Sequence, residues 1–430
     1  LKGQTDVTVN PPPRAVRKRS LIFSILAFGY ILVYFHRLCP AVVAVDMMRD
    51  LHASGALLGF LGSAYFYPYA LMQIPTGLLS DSWGPRRAIS TFLVLAGAGS
   101  LILGVAPTTA WAVSGRILVG LGVSTLFIST LKVLSEWFHS RDFATMTGVL
   151  MAVGGIGSLM AAAPLAYMSE WLGWRFSFLV MGGLTLLVAL LVRVYVRDKP
   201  ADVERTSNRQ PSGDTLPEIP LAEGFRMVLK EPAFRPLAVW FFFTNAIYFS
   251  FIGLWGGPYL MHVYGAGKGE AGRILSMSAI GIIIGGPLLS RLSDRVFRGR
   301  KPVIVLSSFL LFCLTGTLAF ATGDLASPLR YLVCMGIGCT TAAVAVIGFT
   351  AVKELFPLRI AGTATGLVNL FPFAGGALFQ PFLGFLLERN GRIAGIFTIA
   401  GYREAFIALF VCGCIAFAAS LFIRETMPRR

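Results

Sequence analysis

The chain has 430 residues, 55% of them hydrophobic and only 13% charged, with a mean hydropathy of +0.72. A soluble domain of this length would carry about a quarter charged residues, so a water-soluble enzyme or binding module is excluded as a class. The net charge of +16 invites a nucleic-acid reading, but most of the 37 Lys and Arg residues fall in connections that alternate crossings put on one side of a membrane.

A basic tail, residues 1–19, comes first, and Arg14, Arg17, Lys18 and Arg19 read as an anchor at anionic lipid headgroups. No cleavable signal peptide is expected, because the first apolar segment is full length and lacks a cleavage site. Twelve apolar runs follow, each long enough to cross a bilayer as a helix. They lie at about 20–46, 55–80, 87–106, 110–137, 143–169, 176–196, 235–262, 270–292, 303–322, 328–352, 361–387 and 402–423. The second, fifth and eleventh are rich in glycine, which suits close helix packing in lipid. Residues 197–234, with Pro200, Pro211, Pro217 and Pro220, form a polar linker too short for a soluble domain. The division is therefore a bundle over 20–196, the linker, a second bundle over 235–423 and a short tail over 424–430. The basic bias puts both termini in the cytoplasm and the chain in a bacterial-type inner membrane. Cys39, Cys313, Cys334, Cys339, Cys412 and Cys414 lack metal-type spacing and read as packing residues, so neither metal nor cofactor is expected. No phosphate-binding GxxxxGK[ST] segment is present, which argues against ATP-driven work.

Between the second and third runs stands GLLSDSWGPRR, with Gly77, Leu79, Asp81, Gly84, Arg86 and Arg87 in the pattern G-x-L-x-D-x-x-G-x-R/K-R/K. An acid, a glycine turn and two bases between two spans make sense as a latch: Asp81 can pair with bases of a neighbouring helix, and Gly77 lets backbones approach. The chain also repeats itself. Glu136, Phe138, Arg141, Thr145, Thr147 and Gly148 recur at one constant interval as Glu354, Phe356, Arg359, Thr363, Thr365 and Gly366. Gly173-Trp174-Arg175 is echoed by Gly401-Tyr402-Arg403, and a degraded latch surrounds Asp294, with its glycine displaced to Gly299 so that the turn must differ.

The latch, the repeat and the twelve runs together resemble the major facilitator superfamily of secondary transporters over essentially the whole chain. The resemblance implies twelve transmembrane helices in two pseudo-symmetric six-helix bundles, a binding site between the halves, alternating access and function as a monomer. The latch residues would be Gly77, Asp81, Gly84, Arg86, Arg87, Glu136 and Arg141 in the first half and Asp294, Glu354 and Arg359 in the second. Arg116, followed by Gly120 and Gly122, is similar to the family's fourth-helix motif, whose arginine is tied to proton coupling; a structural arginine bonding backbone carbonyls is the other reading. Ala161 and Ala162 stand where drug antiporters carry Gly-Pro, which argues against drug efflux.

Polar stripes on otherwise apolar helices mark the cavity. In the first run Tyr30, Tyr34 and Arg37 share a face, and no acid on that face neutralises the arginine. An arginine near mid-membrane costs ~2.5–3.5 kcal/mol, so it faces a wet cavity or a partner. The string Tyr34-Phe35-His36-Arg37 resembles first helices of organic-anion and organophosphate carriers, where that arginine contacts the anionic substrate. A guanidinium forks onto a carboxylate or phosphate, which lysine cannot do. Tyr65, Tyr69 and Gln73 form a second stripe, and Asn245, Tyr248, Trp255 and Tyr259 a third; Asn369 is the polar candidate of the eleventh run. Organophosphate antiporters resemble this chain except for a lysine where Gln73 stands and a second arginine where the repeat places Phe251. A singly charged carboxylate therefore fits better than a phosphate ester. Lys132 either faces the cavity or reaches back to the headgroups.

The expected function is secondary transport of a small organic anion by proton symport, with His36 and Arg116 as coupling candidates. Partners are the substrate, membrane lipid and a proton or counter-anion, and no nucleic acid. An exchanger or efflux carrier of the same fold, or a transporter-like sensor, are the alternatives; an enzyme has no support.

Overall fold

The computed structural model describes residues 13–73, 75–138, 140–200 and 221–427, so most of the basic tail and linker lie outside the described residues. Among the described residues, ten helical stretches are long and apolar enough to cross a membrane. One of them, Thr145–Tyr195, holds two spans, because Gly173 (φ 78°) turns the chain back between the fifth and the sixth. The remaining span, the second, is broken into Gly55–Ser63, Phe66–Met72 and Pro75–Trp83, the last beginning at a proline that withdraws a ladder donor. The protein is thus an integral membrane protein of twelve spans in two six-helix halves. The first span is likewise split, Pro13–Leu38 from Pro40–Asp50, and the eleventh is split at Asn369 between Leu358–Val368 and Leu370–Arg389. A small hairpin pairs Arg392–Ile393 with Ile396–Phe397 before the last span.

Both described chain ends lie at one end of the bundle, the terminal end. There Lys18 sits over the Trp137 ring and the Thr426 hydroxyl donates to Glu354 (2.7 Å). The halves meet at the opposite, far end. Gly59 abuts the backbone of Gln380, and Gly257 abuts that of Ala41, so closely that any Cβ would collide. The first of these contacts is the close packing expected of the glycine-rich second and eleventh spans. Lys268 pairs with the buried Asp46 across the same seam.

Two carboxylates complete the far-end closure, each on a helix N-terminus of the other half. Glu388 accepts from the Gly55 amide (2.6 Å), and Glu170 from the Gly269 amide (2.9 Å). Glu170 and Glu388 are separated by the same interval as Glu136 and Glu354, so the clasp is reciprocal between repeats. Free N–H groups and the dipole at a helix start both favour an anion there.

At the terminal end the same device works within each half. Asp198, after the sixth span, accepts from the Arg86 amide (2.6 Å) at the start of Pro85–Val105. Glu425, after the twelfth, accepts from the amides of Arg300 (2.8 Å) and Lys301 (3.1 Å) at the start of Arg300–Phe320. Gly84 and Gly299 are the two N-cap residues, and at each a Cβ would press on the capping carboxylate. The turns do differ, Gly84 at φ 83° and Gly299 extended at −169°, but the displaced glycine keeps the same task. Partial burial alone would raise the Glu425 carboxyl; backbone N–H donors outweigh it and hold the group below the usual carboxylate range.

Replacing both far-end carboxylates, Glu170→Ala with Glu388→Ala, removes about 1 kcal/mol of closure each. Together that moves a two-state population on the order of thirtyfold toward opening at the far end. Spin-label distances across that end should lengthen; an unchanged distribution would show that the caps do not hold it.

Candidate functional site

The broken helices converge around Arg37. Its guanidinium lies 4.7 Å from the ring centre of Tyr34, 5.0 Å from Tyr69, 5.1 Å from Phe373 and 6.0 Å from Phe249. The first two rings belong to the first half and the last two to the second, so the arginine sits at the seam. Among the described residues no carboxylate pairs with it, its Nε lacks a partner, and 7% of it is exposed. Tyr30 stacks on Phe127 (5.5 Å), meets Tyr34 edge-on (5.2 Å), and donates to the Met151 sulfur (3.6 Å). Tyr65 and Tyr69 stack at 5.6 Å, and the Tyr65 hydroxyl is buried without a partner. The two tyrosine stripes thus meet around one guanidinium.

On the terminal side of Tyr69, Asn369 donates to the Gln73 side-chain oxygen (2.8 Å), a bond between halves, while Gln73 donates to Tyr69 O (3.3 Å). Among the described residues, no ion pair at the terminal end crosses the seam. Gly77, Gly148, Gly362 and Gly366 have no neighbouring atom where a Cβ would stand. Gly77 therefore makes no close helix contact in this arrangement, contrary to the expectation from the latch pattern.

The third stripe divides. Tyr248 is buried with a partnerless hydroxyl, and Asn245 is spent on Phe241 O (2.9 Å). Trp255 and Tyr259 stand apart from the cluster: Trp255 donates to Gln380 O (2.9 Å), and Tyr259 to Thr322 O (2.7 Å). A wide π-type turn over Phe251–Trp255 separates them from Tyr248. Extra residues in a turn rotate everything beyond it, so the assumed common face does not persist.

His36 turns away from Arg37 onto Thr185 (Nε2 to Oγ1, 3.1 Å). Arg116 donates to His36 O (2.7 Å) and Gly62 O (3.2 Å), binding the fourth span to the first and second, and lies 5.2 Å over the Tyr65 ring. This arrangement matches the structural reading of Arg116.

The latch charges pair within their own halves. Asp81 pairs with Lys132, which also donates to Ser80 O (3.1 Å); Glu136 lies 3.9 Å from Lys199. Lys132, read between cavity and headgroup, is thus a partner of the latch acid, a role the sequence reading missed. The Arg86 guanidinium donates to Arg193 O (2.8 Å) instead of an acid, and Arg87 borders a surface depression. In the second half Arg300 joins Asp294 (2.5 Å) and Glu354 (3.1 Å). The side chains of Arg141 and Arg359 lie outside the described residues.

A sequence model of the Major Facilitator Superfamily matches residues 26–380. The chain is 22% identical over 441 residues to "Probable sulfoacetate transporter" of Cupriavidus necator, covering 96% of this chain and 95% of that protein. It is 25% identical over 437 residues to "Probable hexose phosphate transport protein" of Chlamydia muridarum, covering 94% and 91%. A solved bacterial homologue of the human lysosomal transporter Spinster, inward-facing and unoccupied, shares the fold. Its TM-score is 0.72 at 20% identity, over 94% of this chain and 98% of that one.

The two readings of Arg116 give different outcomes. As a structural tie, Arg116→Gln should cost on the order of 2 kcal/mol, because two buried carbonyls lose a charged donor. A fall in the unfolding midpoint, with the pH profile of transport kept in Arg116→Lys, is the expected pair of results. Full stability in Arg116→Gln with a lost pH response would assign coupling instead.

Proposed function

The chain belongs to the major facilitator superfamily, and we propose that it is a secondary active transporter of a small organic anion, bound by Arg37 between the two halves. The carrying observation is a buried guanidinium at the seam with aromatic faces around it and no carboxylate among the described residues. Cation–π contacts offset ~0.5–2 kcal/mol each and leave Nε without a partner, which suits an incoming carboxylate. Sulfoacetate and hexose phosphate, which stand in the names of two relatives, are both anions and support that class of cargo. A monocarboxylate is favoured because Phe251 replaces a second arginine and Gln73 is neutral. Tyr30, Tyr34, Tyr65, Tyr69, Gln73, Tyr248 and Asn369 would line the site, and alternating access would expose it to either side in turn.

With the termini in the cytoplasm, as the basic bias favours, the closed far end is external and this arrangement faces inward. The latch acids Asp81 and Asp294 would exchange their present partners for partners across the seam when the carrier turns outward. Proton symport is the proposed coupling, since a monoanion entering with one proton crosses without net charge.

Arg37→Lys keeps the charge but loses the fork, so binding should weaken on the order of tenfold to hundredfold. Arg37→Ala should abolish uptake with insertion intact, because it removes a costly charge. A thermal-shift screen of carboxylates, sugar acids, phosphates and inorganic anions selects the probe. Saturable uptake of near-normal affinity in Arg37→Ala would overturn the assignment.

For coupling, uptake into energised vesicles should rise as external pH falls from about 8 to about 6, and a protonophore should suppress it. His36→Gln should leave that response in place, because His36 is buried on Thr185 and turned away from Arg37. Uptake indifferent to the protonophore but dependent on an internal anion would make the carrier an exchanger.

A further inference from the structure

At the terminal end, outside the seam, a depression of about 360 Å³ is lined by Trp83, Arg87, Ser90, Thr91 and Arg193. It lies between the start of the third span and the end of the sixth, and Trp83 at its rim is 52% exposed. Arg86 is consumed by Arg193 O and the latch acid Asp81 by Lys132, so neither addresses this depression. Among the described residues, no ion pair or side-chain hydrogen bond engages the guanidinium of Arg87 or Arg193. Two unneutralised guanidinium groups beside one concavity repel each other, and an anion between them removes that cost.

The surroundings specify the anion. Along the third span, Arg87, Thr91 and Val94 follow one another at helical spacing on an exposed face; along the sixth, Arg193, Leu190 and Leu187 do the same. Both stripes lead from the basic depression onto exposed apolar surface of the spans. An exposed tryptophan at this level is the usual residue of the membrane interface. A small soluble anion would use the arginines and ignore the apolar stripes. A molecule with an anionic head and hydrocarbon tails would use both.

We propose that this depression is a binding site for the phosphate of an anionic glycerophospholipid, with Arg87 and Arg193 on the phosphate and the acyl chains along Val94, Leu187 and Leu190. The site is separate from Arg37, and its motif arginine Arg87 has no other partner among the described residues. The lipid spans the third and sixth helices of one half, and so would brace that half without joining it to the other.

The test uses the full-length protein, delipidated in detergent and offered phosphatidylglycerol or the zwitterionic phosphatidylcholine, with retention read by native mass spectrometry. Wild type should retain phosphatidylglycerol in preference to phosphatidylcholine. Arg87→Gln with Arg193→Gln should lower that retention about thirtyfold, on the order of fivefold per arginine. The pair of lysine variants, Arg87→Lys with Arg193→Lys, should keep most of it, which separates lost charge from lost folding. Excess inorganic phosphate or glycerol 3-phosphate should not displace the lipid, since neither carries tails. Equal retention in the glutamine variant would overturn the site, and displacement by inorganic phosphate would overturn the lipid as its occupant.

Discussion

The structure depends on carboxylates seated on helix N-termini. A membrane span begins with amide donors that its own ladder cannot satisfy, and near lipid an unsatisfied donor is costly. Here Asp198 and Glu425 supply that need inside each half, while Glu170 and Glu388 supply it between halves. The difference in placement has a mechanical consequence. The inner caps tie the third span to the sixth and the ninth to the twelfth, so they hold each half together at its terminal end. Each outer cap is a single bond at a polar seam, worth about 1 kcal/mol, which is strong enough to bias a position and weak enough to release. Backbone-to-backbone contact at Gly59 and Gly257 supplies the rest of the closure without interdigitated side chains that would have to be unpacked.

Two buried arginines show how the same side chain serves opposite ends. Arg116 spends its donors on His36 O and Gly62 O, and is thereby a crosslink among three spans. Arg37 sits nearby in the first span's frame but meets rings, with its Nε unpartnered. Rings offset part of the cost of a buried cation but offer no acceptor in the plane of the guanidinium. Nε lacks a partner in both groups, so what distinguishes them is the rest of the guanidinium: Arg116 is bonded to two backbone carbonyls, whereas Arg37 is bordered by rings.

Much of this was legible in the sequence. Twelve runs and the two stripes Tyr30-Tyr34-Arg37 and Tyr65-Tyr69-Gln73 follow from helical spacing and hydropathy, because those signals are local. The stripe through Trp255 and Tyr259 failed because the π-type turn at Phe251–Trp255 changes the phase of the seventh span, and nothing in the residue types announces that turn. The latch reading found the right charges but not their partners: Lys132 for Asp81 and Arg300 for Asp294 with Glu354 depend on helix neighbours far apart in the chain. The reciprocal caps were invisible for the same reason. Glu170 and Glu388 are related by the repeat, yet their acceptor role exists only once the opposite half is in place.

The repeat also makes the site's asymmetry informative. Where the first half carries Arg37, the second carries Phe251, so the site has a charge on one wall and rings and an amide on the other. Phe249 and Phe373 from the second half approach the guanidinium within 6.0 Å and 5.1 Å. Closing an aromatic wall over a bare cation strips its water without returning an acceptor, which opposes closure. An anion on Arg37, as proposed, would neutralise the guanidinium and lower the cost of that closure. In a carrier with charges on both walls, the anion would itself bridge the halves. Under the proposed binding at Arg37 the anion would act on the first half alone, with the Gln73–Asn369 bond as the polar contact that crosses beside it.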